Sequence, residues 1–254
     1  MPPHLHSGPG YLLQGLRLMT HPRLRWFVLG PLFINTLLFV GLSWLAITQF
    51  GQWLDSLMAK IPEWLDFLAW IFWLLFGAFL LLVYGYSFAV IGNLLASPFY
   101  GPLSERTEEV LTGRNSEASM GLTQWLAMAG SAMKREVVKM GYFLPRIIGV
   151  LLLTLVLSLI PVLNLLGPPI AFLWGAWSLA LQYLDYPADT HRVDFANLRQ
   201  SLGKRRWLSL SYGGSVLIAT TIPLFNLFAM PASVIGATSF WLERMDTERT
   251  GAKN

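Results

Sequence analysis

The chain has 254 residues, 54% of them hydrophobic and only 13% charged, whereas a soluble domain carries roughly 25% charged residues. That deficit excludes an ordinary soluble globule and points to a bilayer, and 11 Trp, 16 Phe and 8 Tyr suit aromatic belts at the membrane–water boundaries. The net charge of +4 is too small and scattered to suggest nucleic acid, and the lack of cysteine excludes disulfides and thiolate metal sites.

Taken in order, the chain reads as a single membrane domain over 1–254. Residues 1–25 are an amphipathic lead-in in which Tyr11, Leu12, Gly15, Leu16 and Met19 can form one apolar face of a short helix on the membrane surface. The stretch from Thr20 to Pro31 then changes character. Pro22 suits the first position of a helix, because its missing N–H would be unpaired there anyway. Arg23, Leu24 and Arg25 follow in the first turn. Free backbone N–H groups and two guanidinium forks suit an anion, while a basic flank that merely orients a membrane helix would look the same.

Residues 26–50 contain no ionisable side chain and are long enough, at about 1.5 Å per residue, to cross a core of about 30 Å. This run is too long for the apolar region of a cleavable signal. A short polar turn over 51–66 holds Asp55, Lys60, Glu63 and Asp66. The second long helix is expected over 64–112, crossing the membrane and continuing into water past Pro98. A loop over 113–119 leads to an amphipathic helix over 121–141, with Gly141 as its stop.

Two apolar stretches close the chain, and each is expected to be a helical hairpin, over 143–184 and 207–242. They share the pattern I-P-x-x-N-L-x-x-x-P, at Ile160 to Pro169 and Ile222 to Pro231. Pro161 and Pro223 are expected to end the first arm of each hairpin, and Asn164 and Asn226 to cap the second. Arms of about 16 to 18 residues sit at or below spanning length. With no charge near either tip, the hairpins are expected to enter the membrane without leaving it, which demands tight packing and an oligomer. Two ordinary pairs of spanning helices are the alternative. Between the hairpins, Asp185, Tyr186 and Pro187 end a helix, and a short helix over 194–203 starts at Asp194 with Phe195, Leu198 and Leu202 on one face. The fold class is thus all-α: two long transmembrane helices, two half-penetrating hairpins and amphipathic cytoplasmic helices.

In this topology 17 of the 18 Lys and Arg residues fall on one side, Lys60 being the exception. By the positive-inside rule that side, with both termini, is cytoplasmic. No catalytic motif is visible, and His4, His6, His21 and His191 are too scattered for a metal cluster. Neither a cofactor nor a metal is expected. The polar residues of the apolar segments are neutral: Asn35, Ser87, Asn93, Ser97, Asn164 and Asn226.

Several stretches together carry a resemblance. They are PRLRWFV from Pro22 to Val28 with Pro31 and Asn35, NLLASPF from Asn93 to Phe99, and Lys134, Arg135 and Glu136. YFLPR from Tyr142 to Arg146, QYLDYP from Gln182 to Pro187, and IPLFNL from Ile222 to Leu227 complete them. The chain resembles the CysZ family of bacterial inner-membrane sulfate permeases over nearly its whole length. The resemblance implies two long membrane helices, two half-penetrating hairpins, homo-oligomers in membrane lipid, and sulfate uptake for sulfur assimilation and cysteine biosynthesis, with sulfite as a second candidate anion. It implies sulfate binding where family members carry Gly-Leu-Arg-Arg, here Arg23, Leu24 and Arg25. Arg25 matches the first arginine, but Arg23 replaces the glycine and Trp26 the second arginine. Gly15, Leu16 and Arg17 form a weaker candidate. The competing functions are a non-transporting scaffold or regulator and, least supported, an enzyme acting on lipid.

Overall fold

The computed structural model describes residues 7–60, 62, 67–113 and 122–246. Residues 1–6 with His4 and His6, Glu63 and Asp66 of the first turn, positions 114–119 of the expected loop, and residues 247–254 lie outside the described residues. So do the side chains of Asn35, Ser87, Asn93 and Ser97.

Among the described residues every regular element is helical: α1 (Gly8–Leu18), α2 (Arg25–Met58), α3 (Phe67–Thr112), α4 (Leu122–Ser158), α5 (Gly167–Thr190), α6 (Phe195–Lys204), α7 (Arg206–Thr221) and α8 (Pro223–Trp241). A 3-10 turn, Leu163–Leu166, precedes α5, and a π-helical turn, Leu242–Asp246, follows α8. The chain forms two compact units, one of residues 29–98 and one of 1–28 with 99–254.

The smaller unit holds the apolar lengths of α2 and α3. Phe50 stacks on Phe76 at 3.9 Å, with Trp73 edge-on to Phe50 and Trp53 edge-on to Phe72. This aromatic knot pins the two helices near their connecting turn. Elsewhere α2 leaves Phe33, Leu37 and Trp44 exposed, a surface suited to lipid rather than water. Three segments, Thr36–Met58, Arg135–Ser158 and Leu163–Thr190, are long and apolar enough to cross a membrane.

The larger unit has its core along α8, which packs on α1, α5 and α7. Ala229, Ala232, Val234, Ile235, Ala237 and Phe240 of α8 are fully buried. The lead-in helix corrects an expectation. Its face of Tyr11, Leu12 and Gly15 does not lie on a membrane surface but is buried against α8. Gly15 makes this approach possible, since a Cβ there would sit 1.9 Å from the Ala232 carbonyl oxygen. Tyr11 is held at the far end of α8, its hydroxyl accepting from Arg244 Nε at 3.1 Å. Burial pushes that hydroxyl up to about 12, with Arg244 pulling the other way.

Three expected helix ends are absent. The first long helix does not end at 50, because α2 runs on to Met58 through the start of the expected polar turn. Gly141 does not stop a helix, because α4 runs through it and through Pro145 to Ser158. A lone glycine costs only about 1 kcal/mol in a helix, too little by itself to end one. Likewise α5 continues past Pro187 to Thr190. Its last turn is held from outside, as Arg135 binds both Asp185 and Asp189.

The two repeats also fold differently from each other. In the first, residues 159–166 form an open turn in which Val162 takes a left-handed φ of 73°. Asn164 lies inside the 3-10 turn and gives no side-chain cap; Leu166 stands at the N-cap of α5. In the second, Pro223 starts α8 after Ile222 alone, and Asn226 lies in the first turn of that helix rather than at its cap. Its Oδ1 is buried without a hydrogen-bond partner among the described residues.

Arm lengths separate the hairpins as well. The 16 residues of α7 and 19 of α8 reach about 24 and 28 Å, short of a core of about 30 Å. The first hairpin's segments of 24 and 28 residues are longer than expected, because Gly141 and Pro187 do not break them. Length alone therefore does not limit its depth.

Candidate anion-binding site

The turn between α1 and α2 is built on His21. Its carbonyl accepts from Leu24 N–H at 2.9 Å and Arg25 N–H at 3.0 Å, and its Nδ1 accepts from Arg23 N–H at 3.3 Å. Thr20 Oγ1 closes the end of α1 by donating to the Arg17 carbonyl at 2.9 Å. The backbone donors expected to face an anion at 23 and 24 are thus spent on His21. Helical bonding begins at the His21 carbonyl, one residue before Pro22.

The side chains alternate. Leu24 is fully buried, while Arg23 and Arg25 on either side are exposed. Val28, one turn on, is buried as well. The apolar anchor fixes the loop and so sets two arginines at the surface, with the Arg25 guanidinium carbon 5.6 Å from the Trp26 ring centre. Two exposed planar forks set by one buried leucine can bind a tetrahedral oxyanion bidentately.

The weaker candidate is less suited. Gly15 is committed to the α1–α8 crossing, Leu16 is half-buried, and only Arg17 is exposed. Arg17 sits in the last turn of α1, whose carbonyl end carries partial negative charge and repels anions.

Beyond this loop, the larger unit holds an ionic cluster that sequence reading did not single out. Arg135 Nε donates to both carboxylate oxygens of Asp185, at 2.9 and 3.0 Å, and its Nη2 reaches the Val193 carbonyl at 2.8 Å. Arg135 Nη1 meets Asp189 at 2.9 Å, while Lys139 pairs with Asp185 at 3.1 Å and also with Glu136. Asp185 is 3% exposed and Lys139 5%. Beside them a cavity of about 260 Å³ is lined by Glu136, Lys139, Gln182 and apolar side chains of α4. The signal was spacing. Arg135 and Lys139, and likewise Asp185 and Asp189, stand four apart on their helices, so each pair shares a face. Further along, His191 Nε2 lies 3.0 Å from Glu108, with its ring stacked on Trp241. Among the described residues no group of three or more His, Cys, Asp or Glu side chains is placed to hold a metal.

Helices of spanning length with lipid-suited surfaces, and charge gathered in paired clusters and arginine-bearing turns, define an all-α integral membrane protein. Residues 11–231 match the family described as Sulfate transporter CysZ/Etoposide-induced protein 2.4. A sulfate transporter CysZ of Pseudomonas fluorescens is 44% identical over 248 residues, 98% of this chain and 98% of the relative. One from Pseudomonas aeruginosa is 43% identical over 247 residues, 97% of this chain and 98% of the relative. One from Pectobacterium atrosepticum is 39% identical over 241 residues, 95% of this chain and 86% of the relative. The chain belongs to the CysZ/Etoposide-induced protein 2.4 family and is a bacterial membrane protein.

Proposed function

We propose that the chain is a sulfate permease of the bacterial inner membrane, supplying sulfate for sulfur assimilation and cysteine biosynthesis, with sulfite as a second substrate. Its near-full-length relatives bear the name sulfate transporter. The observation that carries the reading is the pair of exposed guanidiniums, Arg23 and Arg25, fixed by buried Leu24. They are the sulfate-binding residues, and the His21 turn leaves the guanidiniums, rather than the backbone, as the donors. Replacing both by Ala is expected to weaken sulfate binding to the purified protein by roughly tenfold or more per guanidinium, the worth of a charged hydrogen bond. Unchanged affinity in an isothermal titration would move the site, with Arg17 next.

Both termini are cytoplasmic, as the distribution of 17 of 18 basic residues supports. The hairpins enter from that side without leaving the membrane, within a homo-oligomer. The second hairpin's short arms support this, as does the exposed apolar tip of the first, where Leu159, Val162 and Leu165 are 76%, 75% and 72% exposed. Single cysteines at Leu163 and Phe225 are expected to resist membrane-impermeant thiol reagents from both sides. Rapid labelling from the periplasmic side would mean full crossings.

Transport is passive. Sulfate carries two negative charges into an electrically negative cell, against about 4.6 kcal/mol per 100 mV. Proton coupling needs a carrier group, and the buried acid Asp185 is shared between Arg135 and Lys139. Consumption of sulfate inside then maintains the inward gradient. In vesicles with clamped potential and equal sulfate on both sides, an acid-outside pH jump is expected to drive no accumulation. Concentrative uptake after the jump would establish proton coupling instead.

A further inference from the structure

Tyr142 of α4 gathers two arginines from different helices. The Arg146 guanidinium carbon lies 3.9 Å from its ring centre and that of Arg199, on α6, lies 4.9 Å away. Arg146 Nη1 also donates to the Tyr142 carbonyl at 2.9 Å. Among the described residues neither arginine has a carboxylate within ion-pairing distance. Arg135 and Lys139, the other cations described on α4, are both ion-paired, so two like charges drawn onto one ring stand out. The ring itself is fixed, since its hydroxyl accepts from Trp177 Nε1 at 3.1 Å and its edge packs on Phe195.

The position of the pair along α4 identifies the counter-charge. Towards the N-terminus α4 carries the ionic cluster of Arg135 and Lys139. Directly after Arg146 it presents exposed Ile147, Ile148, Leu151, Leu152 and Leu155, with no charged residue up to Ser158. The arginines therefore mark the level where water gives way to hydrocarbon, and Trp177 at that level fits an interfacial belt. We propose that Tyr142, Arg146 and Arg199 form a binding site for the phosphate of an anionic phospholipid, whose acyl chains lie along the exposed face of α4. Guanidiniums clamp a phosphate bidentately; the aromatic ring holds them in place without neutralising them. A freely diffusing oxyanion would gain nothing from the apolar face below.

The test uses the full chain in detergent, with phosphatidylglycerol and phosphatidylcholine of identical acyl chains compared by native mass spectrometry. Preferential retention of phosphatidylglycerol is expected. The pair Arg146→Gln and Arg199→Gln should lose roughly thirty-fold in that preference, the worth of two basic side chains at an anionic membrane surface. Arg199→Gln alone is the milder variant, since Arg199 is exposed on α6; it should lose several-fold with an unchanged melting temperature. Equal retention of the two lipids, or a preference unchanged in both variants, would overturn the proposal. So would inorganic sulfate that displaces phosphatidylglycerol and itself binds in an Arg146- and Arg199-dependent way, since the site would then serve free oxyanions.

Discussion

Gly213→Val is expected to force α5 and α7 apart and to be the most damaging single substitution in the larger unit. A Cβ at Gly213 would lie 1.8 Å from the Ala176 carbonyl oxygen and 2.9 Å from the Ala180 nitrogen. Both are backbone atoms inside α5, so no rotamer change relieves the overlap. Relief requires separating two helices packed along Ala176 and Ala180, both almost completely buried. The cost should reach or exceed the upper end of the roughly 1–3 kcal/mol seen for overpacked cores. Gly141→Ala is the control. Its Cβ would meet nothing within 4 Å, and the residue lies inside α4. There the substitution should be neutral or stabilise by about 0.5–1 kcal/mol through helix propensity. Thermal unfolding of the two variants in one detergent compares them. Similar melting temperatures would show that α5 and α7 do not cross this closely.

Asp185→Ala is expected to cost nearly as much by a different route. Asp185 neutralises Arg135 and Lys139 together, and all three side chains are at most 14% exposed. Removing the shared carboxylate leaves two cations in a poorly solvated place, with Asp189, Glu136 and the Val193 carbonyl among their remaining partners. Breaking a buried ion pair from one side costs about 3–5 kcal/mol, whereas replacing the whole set by apolar residues is often close to neutral. The triple variant Arg135→Met, Lys139→Met and Asp185→Leu should therefore melt above Asp185→Ala. A triple variant that melts below the single one would mean that the cluster contributes net stability beyond its own desolvation.

The sequence made the helical class legible because lipid imposes one rule: every backbone group in the membrane must be paired by the protein itself, which a long apolar helix does alone. Charge-free runs such as 26–50 announce themselves. Helix ends were less legible, since Gly141 is too weak a breaker to stop α4, and Pro187 is overruled by Arg135, which holds Asp185 and Asp189 on either side of it. The role of α1 was hidden because an apolar face reads the same whether it meets lipid or another helix. What distinguishes them is Gly15, and its partners Ala232 and Gly236 lie four residues apart on α8, a small-residue spacing that lets helices approach. Ala176 and Ala180 repeat that spacing on α5. At the candidate site, the basic residues could be read from the chain, but the capture of three backbone N–H groups by His21 could not, because it depends on how the turn folds. The shared I-P-x-x-N-L pattern promised two equal turns. Neighbours decided otherwise: α8 is largely buried from Ala229 onward, while residues 159–166 are exposed.

Downhill flux of radiolabelled sulfate into vesicles containing only this protein tests the central claim most directly. Sulfate should enter faster than into empty vesicles, and the Arg23→Ala, Arg25→Ala double variant should lose most of that flux while inserting normally. Entry no faster than into empty vesicles, with correctly inserted protein present, would contradict a sulfate permease.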